Sequence, residues 1–215
     1  GFGALFSNLV LLGLPISERA WGAGTDAMAT AYAIVSVHAP FCYLLGITSM
    51  ELLRADGRSL PETAAVVTRA MFRNSLMIGI GLGFVVNLSG LTLPEALISS
   101  VDIVARAALP AALFGLGGTL TRYSLKASLG EAGSISAISL ILHPGISFAV
   151  CHLLDVPDQL TGAVVLMAAM APGVNAYLFA SMYNRGQSTA ASAVLLGTAA
   201  SILSVSAWLW ILGIA

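Results

Sequence analysis

Two groups of residues in this sequence have the types and spacing to hold a charged solute without covalent chemistry. Residues 167–198, "MAAMAPGVNAYLFASMYNRGQSTAASAVLLGT", carry Pro172, Gly173 and Asn175 in the middle of a run otherwise apolar enough for lipid. Near the start, "NLVLLGLPI" places Asn8 and Pro15 in a second apolar run. A proline inside a helix removes one N–H donor and displaces the carbonyl four residues back. In hydrocarbon such freed groups are costly unless protein or a watered cavity meets them. The half-helix that restarts after a break presents unpaired N–H groups and a positive dipole end, which suits an anion. An asparagine amide adds both a donor and an acceptor. Asn8, Pro15, Pro172, Gly173 and Asn175 are therefore the candidate substrate-binding residues, forming a polar, uncharged pocket near the bilayer midplane.

The ionisable candidates are fewer. His38 in "VSVHAPF" and His143 in "LILHPGI" lie within apolar runs, where a titratable group suggests proton handling. Each stands just before a proline, so the competing expectation is a bond to the carbonyl that proline frees. His152 lies near a run's end, at the interface. Asp26 and Asp102 sit where they can cap helix N-termini. No carboxylate occupies the middle of a run, which argues against a proton relay within these segments. Cys42 and Cys151 fall in apolar stretches and form no metal, redox or disulfide pattern. "GFG" at residues 1–3 lacks the remaining glycines of a nucleotide loop. With no nucleophile–base pair, metal cluster or phosphate loop, the reading is of a protein that is not an enzyme and needs no cofactor or metal.

The elements that must position these residues follow from composition. The chain of 215 residues is 58% hydrophobic and 9% charged, with a mean hydropathy of +0.92. A soluble domain carries about a quarter charged residues. This chain cannot cover a water-facing surface, so an all-α integral membrane protein is expected, with the lipid bilayer as its surroundings. It has no basic stripe, which excludes nucleic acid as a partner. Seven apolar runs appear, at 1–16, 27–52, 70–90, 101–121, 132–154, 159–183 and 189–213. They do not alternate at period two, so helices are expected over a barrel. The first run falls short of the roughly 20 residues a span needs, and residue 1 is Gly; the chain reads as starting inside a span. Residues 54–73 form the one sizeable polar stretch, a linker with a short amphipathic helix opening at Pro61.

Cations orient the runs. If spans alternate, Arg54, Arg58, Arg69, Arg73, Arg122, Lys126 and Arg185 share one side, and Arg19 and Arg106 the other. The richer side is read as cytoplasmic, which puts the C-terminus outside. The first run then starts inside and the sixth starts outside. These two runs also echo each other. In both, an Asn shares an apolar run with a Pro and a short polar turn follows. The next run then opens with Gly, four residues, Ala, a small hydroxyl residue and Ala: Gly186, Ala191, Ser192, Ala193 against Gly24, Ala29, Thr30, Ala31. Oppositely oriented copies with an interrupted helix in each are the mark of many secondary transporters.

At these residues the sequence resembles the auxin efflux carrier family, which includes plant PIN-type carriers and bacterial relatives described as malonate or other carboxylate permeases. The resembling pieces are "SNLVLLGLPI" at 7–16, "ALPAALFGLGGTL" at 108–120 and "MAAMAPGVNAYLFASMYNRGQSTAASAVLLGTAASIL" at 167–203. The resemblance implies an inverted-repeat transporter fold of ten spans in two five-helix halves, with the fourth and ninth helices broken and crossing. Seven of the ten spans are present on this reading. Residues 1–52 supply the last two helices of the first repeat, 53–69 a cytoplasmic linker, and 70–215 the second repeat. The resemblance further implies a bacterial inner-membrane protein with termini outside, a homodimer, and elevator-like or rocking movement. The function expected is secondary transport of small organic anions, malonate- or auxin-like carboxylates, by alternating access.

Two other readings compete. A sodium-coupled symporter of the bile-acid type shares the crossover architecture and would need sodium ligands there. A seven-helix membrane sensor without transport would need no inverted repeat. Among the remaining features, Gly79, Gly81 and Gly83 in "GIGLGF", with Gly115, Gly117 and Gly118, are expected to let helices pack closely. Trp21, Trp208 and Trp210 are expected in interfacial belts.

Overall fold

A computed structural model describes residues 1–53, 59–73, 75–120 and 129–214. The described residues are helical, joined by short turns, with no β-strand among them. In chain order the helices are α1 (Phe2–Leu5), α2 (Leu14–Trp21), α3 (Asp26–Leu53), α4 (Leu60–Arg73), α5 (Ser75–Ser89), α6 (Glu95–Leu120), α7 (Leu129–Ala137), α8 (His143–Leu153), α9 (Asp158–Ala168), α10 (Val174–Met182) and α11 (Gln187–Ile211). Two π-helical turns, Leu9–Gly13 and Ile138–Leu142, lead into α2 and α8. Three helical stretches among the described residues are long and apolar enough to cross a bilayer: Asp26–Leu53, Leu129–Leu153 and Gln187–Ile211. The protein is an all-α integral membrane protein.

Both π turns have the same cause. Each ends two residues before a proline, Pro15 or Pro144. A proline ring pushes away the carbonyl four residues back. The helix widens by one residue there, and the amide just before each proline reaches back five: Leu14 N–H to the Leu9 carbonyl, His143 N–H to that of Ile138.

The chain divides into two compact units. The first comprises Gly1–Val35 and Ala107–Ala215. Its core gathers Leu9, Ala31, Leu166, Met167, Met170 and Val205, with Ile16, Trp21 and Leu209 among the side chains packed against it. In this unit α7 and α11 pack along each other, α9 lies against α8, and α10 against α11. At the α7–α11 seam the Ser136 hydroxyl donates to the Ala132 carbonyl of its own helix at 2.8 Å and lies 3.5 Å from the Ala193 carbonyl of α11. Glu131, at the start of α7, accepts a 2.7 Å bond from the Thr189 hydroxyl of α11.

The second unit, Ser36–Arg106, is less densely packed. Here α4 begins as its sequence suggests: Pro61 stands in the first turn, and the Glu62 carboxylate accepts from the Ser59 N–H at 2.9 Å and hydroxyl at 2.8 Å. Among the described residues, a Cβ at Gly79, Gly81 or Gly83 meets nothing within 4 Å. Gly118 is equally open, and the side-chain surroundings of Gly115 and Gly117 lie outside the description. Asp102 does not cap a helix, since α6 starts at Glu95; its carboxylate instead pairs with Arg106 one turn on, at 2.8 Å. The cap of α3 is Thr25 rather than Asp26. The Thr25 hydroxyl donates to the Gly22 carbonyl at 3.1 Å and accepts from the Met28 N–H at 3.4 Å.

Candidate functional site

The first and sixth apolar runs are each interrupted, and the interruptions meet. One break covers Phe6–Asn8, between α1 and the turn Leu9–Gly13; the other covers Ala169–Gly173, between α9 and α10. Ser7 and Pro172 pair as a single antiparallel bridge. The Asn8 N–H donates to the Ala171 carbonyl at 2.8 Å, and the Gly173 N–H donates to the Phe6 carbonyl at 2.8 Å. Each break thus satisfies part of the other's backbone, which neither could do alone in lipid. A third donor completes the set: the Ser139 hydroxyl, in the π turn before α8, bonds the Met170 carbonyl at 3.1 Å.

Packing admits no side chain at several points around this crossing. A Cβ on Gly173 would stand 3.3 Å from Phe6 Cδ1 and 3.4 Å from both Asn8 Cα and the Ser7 carbonyl oxygen. Beneath Pro172, a Cβ on Gly197 of α11 would lie 2.5 Å from the proline Cδ. On one side of the crossing α2 packs on α9. Gly13 leaves room for the Met167 thioether, whose sulfur would be 2.8 Å from a Cβ there, and the Ser17 hydroxyl lies 3.6 Å from the same sulfur. On the other side α1 packs on α10 through rings. Phe2 stacks on Phe179 at 4.0 Å between centroids, and Phe179 meets Tyr183 at 4.8 Å.

Because the bridge is antiparallel, the helices restarting at Leu9 and Val174 leave the same point in opposite directions. Two positive helix ends converge there. Asn8 is buried beside the bridge, and Asn175 lies partly exposed in the first turn of α10.

The structure therefore brings Asn8, Pro172 and Gly173 into contact or adjacency and places Asn175 two residues further on. It does not put Pro15 in the break. That proline stands in the first turn of α2, where it borders a surface groove with Ile16 and Arg19. The interruption lies at Phe6–Asn8, upstream of any proline: Phe6 is extended, and the chain turns tightly at Asn8, where the Leu9 N–H donates to the Ser7 carbonyl at 2.9 Å.

The histidines take different positions. His38 lies on α3 in the second unit, its ring nitrogens 3.7 and 3.8 Å from the Cys42 sulfur one turn on. His143 opens α8, and its Nδ1 is buried with no hydrogen-bond partner among the described residues. It is Trp208 that meets the carbonyl Pro144 frees: its indole Nε1–H donates to the Leu140 oxygen at 3.0 Å. Trp208 thus ties α11 to the π turn and is more than a belt residue. Trp210 is 75% exposed, as a belt position would be.

Sequence reasoning passed over Ser7, Ser139 and Gly197. Ser7 is 1% exposed and its hydroxyl has no hydrogen-bond partner among the described residues. Gly197 carries a faint signal, as a glycine inside an apolar helix. Ser139 carries none, because one serine in an apolar run cannot announce which carbonyl it will meet.

The chain is similar to known membrane transport proteins. A family model described as "Membrane transport protein" matches residues 3–209. The "Putative malonate transporter" of Rhizobium meliloti (strain 1021) is 23% identical over 214 residues, covering 99% of this chain. The chain spans 66% of that relative's length, just under two thirds. With nearly all of its residues inside the family match and its two interrupted helices joined at their breaks, the chain belongs to the membrane transport protein family, the auxin efflux carrier-like family.

Proposed function

We propose that this chain is the greater part of a secondary transporter that carries small organic anions, carboxylates of the malonate or auxin kind, by alternating access. The observation that carries the reading is the paired interruption, where Asn8 bonds Ala171 and Gly173 bonds Phe6 at 2.8 Å each. That pairing joins two helix N-termini at one point and sets an asparagine beside each. Two partial positive charges and two amides suit a carboxylate, whose oxygens only accept. No covalent step is needed, so the protein acts as a carrier and not as an enzyme. A malonate-named relative makes small dicarboxylates the first solutes to test.

In this reading Asn8, Gly173 and Asn175 contact the substrate, Pro172 holds the break open, and Pro15 shapes the helix leaving it. His38 and His143 are the groups available for proton coupling. Residues 1–52 and 70–215 belong to two inverted repeats joined by a cytoplasmic linker at 53–69. The protein resides in the inner membrane with its C-terminus outside, as a homodimer.

The test is reconstitution of the full-length protein in proteoliposomes loaded with unlabelled malonate. Entry of external labelled malonate by exchange, abolished in Asn175→Ala, supports the proposal. Exchange of no small carboxylate, or undiminished exchange in the variant, overturns it.

A further inference from the structure

Outside the crossing, one groove in the first unit joins a cation to an apolar trough. Pro15, Ile16, Arg19 and Ala20 of α2 form one wall, and Leu209 of α11 with Ile214 just beyond it forms the other. The groove holds about 270 Å³ and is open along one side. Its base is rigid, because Ile16, Ala20 and Leu209 are packed against the unit's central core. Neighbouring Trp21 and Ile214 both lie against Gly162, where a Cβ would stand 3.2 and 3.4 Å from them.

Arg19 is the one polar side chain in this lining. It is exposed, sits in the last turn of α2, and has no ion pair among the described residues. Its neighbour Glu18 is adjacent in sequence and so points to a different side of the helix. The negative end of α2 favours a cation at this position. That accounts for the charge but not for the apolar trough beside it. Water fills such a trough poorly, since each molecule wants two to four polar partners and the walls offer almost none. A lipid acyl chain has no such requirement.

We propose that this groove binds an anionic phospholipid, with one acyl chain between α2 and α11 and the phosphate on the Arg19 guanidinium. The planar fork of arginine matches phosphate oxygens two at a time. Its methylene stem can run along Ile16 while the head stays at the water boundary. Trp21, two residues on, marks the same interfacial level. Charge complementarity selects an anionic lipid over a zwitterionic one, because Arg19 brings a positive charge that no carboxylate of the described residues neutralises. The site lies on the helix that leaves the crossing from Asn8; it shares Pro15 with the candidate substrate-binding residues, while Asn8, Pro172, Gly173 and Asn175 do not line it.

Native mass spectrometry of the full-length protein, titrated with phosphatidylglycerol or phosphatidylcholine, tests this. Wild-type protein is expected to retain phosphatidylglycerol in preference to phosphatidylcholine. Arg19→Gln is expected to weaken phosphatidylglycerol retention about tenfold, the loss of one charge-assisted contact, and Arg19→Lys to restore part of it. Arg106→Gln, at a cation already paired with Asp102, is expected to change nothing. Ala20→Phe narrows the trough and is expected to reduce retention with Arg19 intact; a melting temperature equal to wild type shows that the variant is folded. Equal retention of both lipids, or phosphatidylglycerol retention unchanged in Arg19→Gln, overturns the proposal. Loss in Arg19→Gln with none in a folded Ala20→Phe overturns the placement of the acyl chain in the groove.

Discussion

Pro172 of the second break rests directly on Gly197 of α11, so closely that a Cβ at 197 would lie 2.5 Å from the proline Cδ. Ser136 Oγ stands 3.3 Å from the same Cβ position, so the pocket beneath the proline is closed on two sides. The proline is fully buried and bridged to Ser7, and has no free direction in which to retreat. Gly197→Ala is therefore expected to destabilise the protein by about 1–3 kcal/mol, the usual range for overpacking a filled interior. The checks are thermal melting in detergent and exchange activity, both of which should fall. A melting temperature equal to wild type would show that the break shifts freely.

Ser139 and Ser136 offer a contrast on one element. Ser139 supplies the hydrogen bond that the Met170 carbonyl receives from outside its own segment. Ser139→Ala is expected to cost about 1–3 kcal/mol, the penalty of leaving a buried acceptor unsatisfied. Ser136 donates mainly to the Ala132 carbonyl of its own helix at 2.8 Å and reaches the Ala193 carbonyl of α11 only at 3.5 Å; both acceptors lie within helices. Ser136→Ala is expected to cost clearly less. Denaturation of the two variants side by side in the same detergent decides the ranking.

Trp208 and Pro144 are coupled through the Leu140 carbonyl. Trp208→Phe removes the indole donor and is expected to destabilise by about 1–3 kcal/mol. In a Pro144→Ala background, residue 144 has an N–H of its own to offer Leu140. The same Trp208→Phe change should then cost less, and a double-mutant cycle measures the difference. Equal costs in both backgrounds would mean that Trp208 and Pro144 are not coupled through the Leu140 carbonyl.

Asn175 tests the site itself. Asn175→Ala is expected to abolish binding of small carboxylates while leaving the melting temperature near wild type, because the residue is partly exposed in the first turn of α10. Wild-type affinity in that variant, measured by scintillation proximity with labelled malonate, would remove Asn175 from the site.

Sidedness has its own test. Arg69 and Arg73 lie on α4, within the polar stretch of residues 54–73. A cysteine at Arg73, in a background lacking Cys42 and Cys151, is expected to resist a membrane-impermeant maleimide applied to intact cells and to react once the cells are opened. Labelling in intact cells would reverse the orientation drawn from the cation count.

Much of this protein was legible in its residues. A charged fraction of 9% left no soluble option, so the all-α membrane class followed from composition. Pro172, Gly173 and Asn175 marked an interruption that the chain does make. In the first run the sequence pointed to the wrong residue. Pro15 is the visible helix breaker, yet it only widens the helix into a π turn, and the true break is the non-helical backbone at Phe6–Asn8. Nothing intrinsic to Phe, Ser and Asn requires that conformation. It arises where a second interrupted segment supplies the missing hydrogen-bond partners, through the Ala171 carbonyl and the Gly173 N–H. A glycine pattern such as 79–83 likewise announces small surfaces but not whether a partner will use them, and among the described residues none comes within 4 Å. Local chemistry sets which residues are able to leave a helix. Which of them do, and what meets them, depends on distant parts of the chain, because a freed backbone group in lipid is tolerated only beside a partner that folding brings to it.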